Sequence, residues 1–174
     1  MNFSQWFYES LLDNVARSYD RYGFDSSLSF KHIMDFVTKY LKNNPDAKVL
    51  DFGAGKKPFL AKHFKKMGFA IDAHELPQNN SEEHDDVAGE KYDLVVASNV
   101  LNVQQTLSNL RKTLNQIFKF TTDNGMLFAT VPDQPNENLF TIAKLKDEML
   151  KKFAKVVCIK IKTGTLMQAY KTHD

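Results

Sequence analysis

The groups in this chain best placed to do chemistry are two glycines set among carboxylates. Asp51-Phe52-Gly53-Ala54-Gly55 closes one apolar run, and Glu75 closes the next, Gly68-Phe69-Ala70-Ile71-Asp72-Ala73-His74. Glycine takes backbone angles that other residues avoid and carries no Cβ, so a ligand can come close to the main chain of such a turn. A nucleotide-like ligand is the expected occupant, and a carboxylate beside the turn can accept two hydrogen bonds from a ribose diol. A further polar pair, Ser98-Asn99, follows the apolar run Leu94-Val95-Val96-Ala97. Other reactive types are placed less well. His74, His84 and the acids around them lack the compact spacing that fixes a metal's geometry, so a solvated acidic loop is expected there and no metal. The single cysteine, Cys158, leaves no internal disulfide to form. It is expected in a buried strand, which fits a reducing cytoplasm and not a catalytic thiol.

These groups need elements to hold them. Val49 to Leu60 reads as strand, tight turn and helix, with Pro58 tolerated in the first helical turn, where N–H groups lack partners anyway. That helix sets Leu60, Phe64 and Met67 on one face, with His63 beside it as a packing residue. Leu94-Val95-Val96-Ala97 reads as a strand covered on both faces. Its carboxyl end delivers Ser98 and Asn99 to the crevice where open α/β sheets bind ligands. Val103, Leu107, Leu110, Leu114, Ile117 and Phe118 form the stripe of a long helix that Asn102 could cap, ending near a turn at Asp123-Asn124-Gly125. Met126–Val131 is the next strand, Pro132–Asn136 a loop at the same sheet edge, and Leu139 to Phe153 another helix. Val156–Ile161 and Thr165–Tyr170, joined through Lys162-Thr163-Gly164, read as a hairpin. Leu76 to Glu90 is polar and acidic, and too short for a full helix and a strand, so one of them is expected to be short or missing. Ahead of Asn44-Pro45-Asp46 the chain reads as helical, with Phe3, Phe7, Leu11 and Val15 in one stripe and Ile33, Phe36, Val37, Tyr40 and Leu41 in another.

This order of features resembles the class I, Rossmann-like S-adenosylmethionine-dependent methyltransferases. The likeness is carried by Asp51–Gly55 as their first motif, Glu75 as their ribose-binding acid, and Tyr92-Asp93-Leu94-Val95-Val96-Ala97-Ser98-Asn99-Val100-Leu101 as their fourth-strand motif. It implies an α/β sandwich with a mostly parallel sheet, a terminal antiparallel hairpin, a shortened middle region and a helical N-terminal extension. One domain over residues 1–174 is expected, with a helical segment at 1–45 and a Rossmann-like core at 46–174. The implied cofactor is S-adenosyl-L-methionine, lined by Asp51, Gly53, Ala54, Gly55, Glu75, Leu76, Asp86, Val87, Ser98 and Asn99. Asp51 is implied to help hold its ammonium group, and Asp86-Val87 to meet the adenine, with Asp85 as the next choice of acid.

In such proteins the segment before the first strand often lies over the cofactor, which makes Tyr8, Tyr19 and Tyr22 candidates for an aromatic lid. An aromatic face attracts a sulfonium by about 0.5 to 2 kcal/mol per contact. Packing between helices is the competing role for these tyrosines. Tyr19, Tyr22, Asn99 and Pro132 are the candidate acceptor-side residues. No catalytic base is assigned, because transfer from an activated donor depends first on holding acceptor and methyl carbon in line. Two departures stand out. Lys57 occupies a place where the family often carries a small residue, and Ser98-Asn99-Val100-Leu101 lacks the Pro-Pro-aromatic pattern of amino-directed DNA methyltransferases.

Composition bounds the rest. With 174 residues, 43% hydrophobic content and a net charge of +2, the chain has the makeup of an ordinary globular domain and no announced preference for nucleic acid. No run approaches the roughly 18 apolar residues of a membrane span, and Met1-Asn2-Phe3-Ser4-Gln5 has no basic start of a signal peptide. A cytoplasmic enzyme acting on a small-molecule, nucleic-acid or protein acceptor is the expectation, with its oligomeric state open. The alternatives are a catalytically silent fold that binds the cofactor or a partner protein, and a nicotinamide-dependent enzyme. The latter is disfavoured by the missing third glycine and the terminal hairpin.

Overall fold

A computed structural model describes residues 27–55, 58–75, 84–133 and 140–172. The helix expected over Phe3 to Val15, the tyrosines Tyr8, Tyr19 and Tyr22, the Lys56-Lys57 pair, Leu76, and the loop residues Pro135 and Asn136 lie outside the described residues.

The apolar runs become strands and the 3.6-period stripes become helices. In chain order these are α1 (Ser27–Asn43), β1 (Val49–Phe52), α2 (Phe59–Lys66), β2 (Ile71–His74), β3 (Tyr92–Ser98), α3 (Leu107–Phe120), β4 (Thr121–Pro132), α4 (Ile142–Leu150), β5 (Lys155–Ile161) and β6 (Gly164–Tyr170). All four residues of β1 are buried, as a strand covered on both faces requires. On one face of the sheet Ile33, Val37 and Leu41 of α1 and Leu60 and Phe64 of α2 pack against Val49, Leu94, Val96 and Phe128. Phe36 stacks on Phe128 with ring centroids 3.9 Å apart. On the other face Leu110, Leu114 and Ile117 of α3 and Leu145 and Met149 of α4 cover Leu50, Val95, Leu127 and Met167. The result is a three-layer α/β sandwich.

The six strands run in the order β2-β1-β3-β4-β6-β5. β2, β1, β3 and β4 are parallel, and β6 and β5 are antiparallel to their neighbours. The carboxyl ends of the four parallel strands therefore share one edge, and the chain reverses its direction of winding between β1 and β3. Phe52 pairs with His74, which sets Gly53 and Glu75 side by side at that edge.

Several expectations are corrected. α3 begins at Leu107 and not near Val103, because the Thr106 hydroxyl accepts the Asn109 N–H at 3.1 Å and starts the helix there. Val103 is left 56% exposed, and Asn102 is not the cap. The turn expected at Asp123-Asn124-Gly125 is a bulge inside β4, where the register steps from Tyr92↔Thr121 to Leu94↔Met126. Met67 and Leu150, expected on inner helix faces, are exposed where α2 and α4 end. Cys158 is only partly buried because β5 is the edge strand.

The shortened middle takes a definite form. Among the described residues neither helix nor strand stands between β2 and β3. In their place the Asp85 N–H donates to the Ala73 carbonyl at 2.9 Å, and the Asp85 carboxylate accepts the Ala73 N–H at 2.8 Å. Lys65 of α2 holds the same carboxylate at 2.7 Å. One residue thus covers part of the outer edge of β2, which would otherwise present unpaired main-chain groups. Among the described residues no helix is long and apolar enough to cross a membrane.

Candidate functional site

The main chain leaving β1 is clasped to β2. The N–H groups of Gly53 and Ala54 both donate to the His74 carbonyl, at 2.8 and 3.1 Å. Gly53 and Gly55 have φ values of +73° and +70°, a region where a side chain is strained, so both positions favour glycine. Their surroundings differ. A Cβ on Gly53 would lie 2.5 Å from Cγ2 of Val100, whereas one on Gly55 would meet nothing within 4 Å among the described residues. The first glycine lets the loop after β3 seat on the turn. The second leaves its main chain uncovered by any side chain of the described residues on the side where a Cβ would stand.

Glu75 is buried, and its Oε2 accepts the Gly55 N–H at 2.7 Å. His84 Nε2–H donates to the Gly55 carbonyl at 2.8 Å. The turn is therefore held by side chains from both ends of the segment that follows β2.

Asp51 is buried on the α2 side of the sheet, where the Ala61 N–H in the first turn of the helix hydrogen-bonds its carboxylate. Burial pushes this carboxyl up to about 7, the Ala61 bond works against the rise, and the nearby charge of Glu75 adds to it. It is a buried acid directly before the turn that leaves β1.

At the end of β3, Ser98 pairs with Thr130 of β4. Asn99 has φ +56°, and it is held there by its own N–H on the Thr130 carbonyl at 3.1 Å and by the Thr130 hydroxyl donating to its Oδ1 at 3.2 Å. The sheet thus brings Asp51, Gly53, Ala54, Gly55, Glu75, Ser98 and Asn99 to one edge, with Pro132 at the end of β4. Asp86 is placed differently. It is exposed, and its carboxylate caps the Ala88 N–H at 3.1 Å, while Val87 is buried in the core. Its neighbour Asp85 is the acid that turns inward onto β2.

Three contributors gave no usable signal in the sequence. His84 reads there as part of a solvated acidic loop, whereas the fold turns its ring onto the Gly55 carbonyl. Thr130 and Val100 carry no motif of their own, and only strand pairing and the closeness of the two loops bring them to the site.

The sequence profile of a family described as "methyltransferase domain" matches residues 21–159. The chain belongs to that family. Its membership in the class I, S-adenosylmethionine-dependent superfamily agrees with the six-stranded sheet and with similar solved structures. A magnesium protoporphyrin IX methyltransferase from Synechocystis with bound cofactor is 13% identical, with TM-score 0.60 over 85% of this chain and 82% of that one. A protein from Pyrococcus horikoshii gives TM-score 0.64 at 13% identity, over 83% of this chain and 90% of that one. An amino pentose methyltransferase from Micromonospora echinaspora, also with bound cofactor, gives 0.61 at 13% identity, over 82% and 91%. No curated protein sequence matches the chain. At the ligand edge of this methyltransferase domain lie the turn at Gly55, the buried carboxylate of Glu75 and the buried acid Asp51.

Proposed function

We propose that this chain transfers a methyl group from S-adenosylmethionine to a nucleophilic acceptor, as a single domain working in the cytoplasm. The observation that carries the reading is the pairing of Gly55 with Glu75. A glycine whose missing Cβ leaves space open among the described residues lies 2.7 Å, main-chain N to carboxylate O, from a buried acid directly after the adjacent parallel strand. Glu75 would accept the ribose hydroxyls, Gly53 to Gly55 would face the adenosyl group, and Asp51, ionised, would balance the ammonium. Ser98 and Asn99 would line the methionine end. When bound, S-adenosylmethionine supplies a methyl group already activated as a sulfonium. The chain's task is then to hold the acceptor in line and keep water away. No side chain at this edge is required to act as a strong base.

The reading is tested with methyl-labelled S-adenosylmethionine and a cell extract separated afterwards into nucleic acid, protein and metabolites. Label entering one fraction only when the protein is present is the expected result. Binding of S-adenosylmethionine without any transfer would favour a second reading, a cofactor-binding or protein-interaction module that has lost turnover. The specific observation behind that alternative is the Asp85 contact on the outer edge of β2, where a further strand could otherwise pair.

A further inference from the structure

Glu148 of α4 is 2% exposed, yet it meets three cations. Its Oε2 accepts Arg111 Nε of α3 at 2.8 Å, and its Oε1 accepts Arg111 Nη2 at 3.2 Å, Lys144 Nζ at 3.1 Å and Lys151 Nζ at 2.6 Å. Among the described residues no other carboxylate pairs with these cations. One negative charge thus anchors three positive ones, and a surplus of two remains. The carboxylate is sealed in, whereas the side chains of Arg111 and Lys151 are 51% and 53% exposed. Each keeps N–H donors that Glu148 does not use. Because both bond Oε1, their heads stand close enough for one tetrahedral anion to touch the two together.

Arg111, Glu148 and Lys151 line a cleft of about 200 Å³ between the two helices, walled also by Leu114 and Asn115 of α3 and by Lys152. Glu148 is the only acid among the described residues that line it, and its charge is already covered. The space is smaller than the roughly 300 Å³ of a drug-sized ligand, and it suits a phosphate group with a small part of its carrier. A phosphate monoester carries about −1.5 to −2 charge at pH 7, which matches the surplus. A diester, with a single negative charge, would leave part of that surplus uncompensated. The cleft stands apart from the glycine turn. Lys151 and Lys152 close α4 just ahead of β5, whose first residue, Lys155, pairs with Tyr170, which in turn pairs with Met126 toward the amino-terminal side of the sheet. We propose that this cleft is a separate binding site for a small ligand carrying a phosphate dianion, free or as a monoester. Arg111, Lys151 and Lys152 hold the phosphate oxygens, and Glu148 keeps the first two cations in place.

The test titrates the isotope-labelled full chain with inorganic phosphate, phenyl phosphate and dimethyl phosphate at constant ionic strength and about pH 7.5, where a monoester is doubly charged. Backbone amide shifts are followed by NMR. Saturable shifts should appear at residues 111–115 and 148–152 and not at 53–55, and dimethyl phosphate should bind about tenfold more weakly or worse. Tighter binding of phenyl phosphate than of inorganic phosphate would mark an ester as the ligand, and equality or the reverse would mark the free ion; either result upholds the site. Lys151→Gln should weaken phosphate binding about five- to tenfold. Glu148→Gln separates a built site from a diffuse field. It adds one net positive charge, so attraction by overall charge alone would tighten binding, whereas loss of the anchor should weaken it about fivefold. Circular dichroism checks that each variant is folded, and Lys151→Gln, which removes no buried group, carries the test if Glu148→Gln does not fold. Absence of saturable shifts at the cleft, dimethyl phosphate binding as well as the dianions, unchanged binding in Lys151→Gln, or tighter binding in a folded Glu148→Gln would overturn the proposal and leave α3 and α4 as solvated helix faces.

Discussion

Asp51 shows how one side chain couples the site to the stability of the protein. Its carboxyl titrates near 3.8 when unfolded and at about 7 in the fold, with burial the main cause. Between those values the folded state holds a proton that the unfolded state does not, so the group's contribution is fully present below the lower value and is lost as pH rises through about 7. Asp51→Asn keeps the shape and cannot titrate. Thermal unfolding at pH 5 and pH 8 should therefore show a smaller fall in stability for the variant than for the parent, with the variant the more stable of the two at pH 8. Its affinity for S-adenosylmethionine should move the opposite way and drop, because an amide does not balance an ammonium. In the parent, affinity should be highest between about pH 7 and 8, where Asp51 has ionised and an amino group of pKa about 7.7 to 8.0 has not yet lost its proton. A flat affinity profile from pH 6 to 8 would argue against Asp51 as the ammonium's partner.

The turn after β1 separates two uses of glycine. Gly53→Ala would drive a Cβ to 2.5 Å from Val100, at a φ already unfavourable for alanine. It should lower stability by about 1 to 3 kcal/mol as the turn or the loop after β3 gives way. Gly55→Ala meets no neighbour among the described residues and should cost only the strain of its positive φ, about 1 to 2 kcal/mol. Its added methyl should nevertheless impair cofactor binding far more than its stability cost suggests. Melting temperatures and calorimetric affinities of the two variants check this contrast. Both glycines were legible in the sequence, because two glycines set one residue apart directly after an apolar run leave the backbone little to do but turn. So were α2, the hairpin of β5 and β6, and the core stripes of α1 and α3. The start of α3 was not, because Val103 continues the apolar period while Thr106 four residues before Leu110 fixes the true end. The Asp123-Asn124-Gly125 signal was real, but strand pairing with Tyr92 turned an expected chain reversal into a bulge.

Beyond the site, the two helices on the α3 face are joined by a charge cluster that sequence periodicity hid. Glu148, a polar position of α4 by its spacing, is 2% exposed and accepts Arg111 Nε of α3 at 2.8 Å, Lys144 at 3.1 Å and Lys151 at 2.6 Å. The Arg111 and Lys151 hydrogen bonds hold its carboxyl well below the usual carboxylate range, against the effect of burial. Its contribution is fully present above the unfolded value of 4.5 and is lost as pH falls below it. Glu148→Gln should lower stability at pH 7 by about 1 to 2 kcal/mol, and the gap should narrow in acid, as read by urea unfolding at pH 7 and pH 3.5. Glu148 and Asp51 thus act in opposite directions, and the whole molecule should be most stable in a mildly acidic window. The sheet order that places α3 and α4 on one face also sets β1 beside β2, and it is this pairing that brings Glu75 to the bare turn. Calorimetric titration of the parent and of Glu75→Ala with S-adenosylmethionine probes that arrangement without intermediaries. The parent should bind, and the variant should lose about 1.5 to 3 kcal/mol, roughly ten- to a hundredfold in affinity. Equal affinity in the two proteins would mean that Glu75 does not hold the ribose and that the bare turn is not the cofactor's seat.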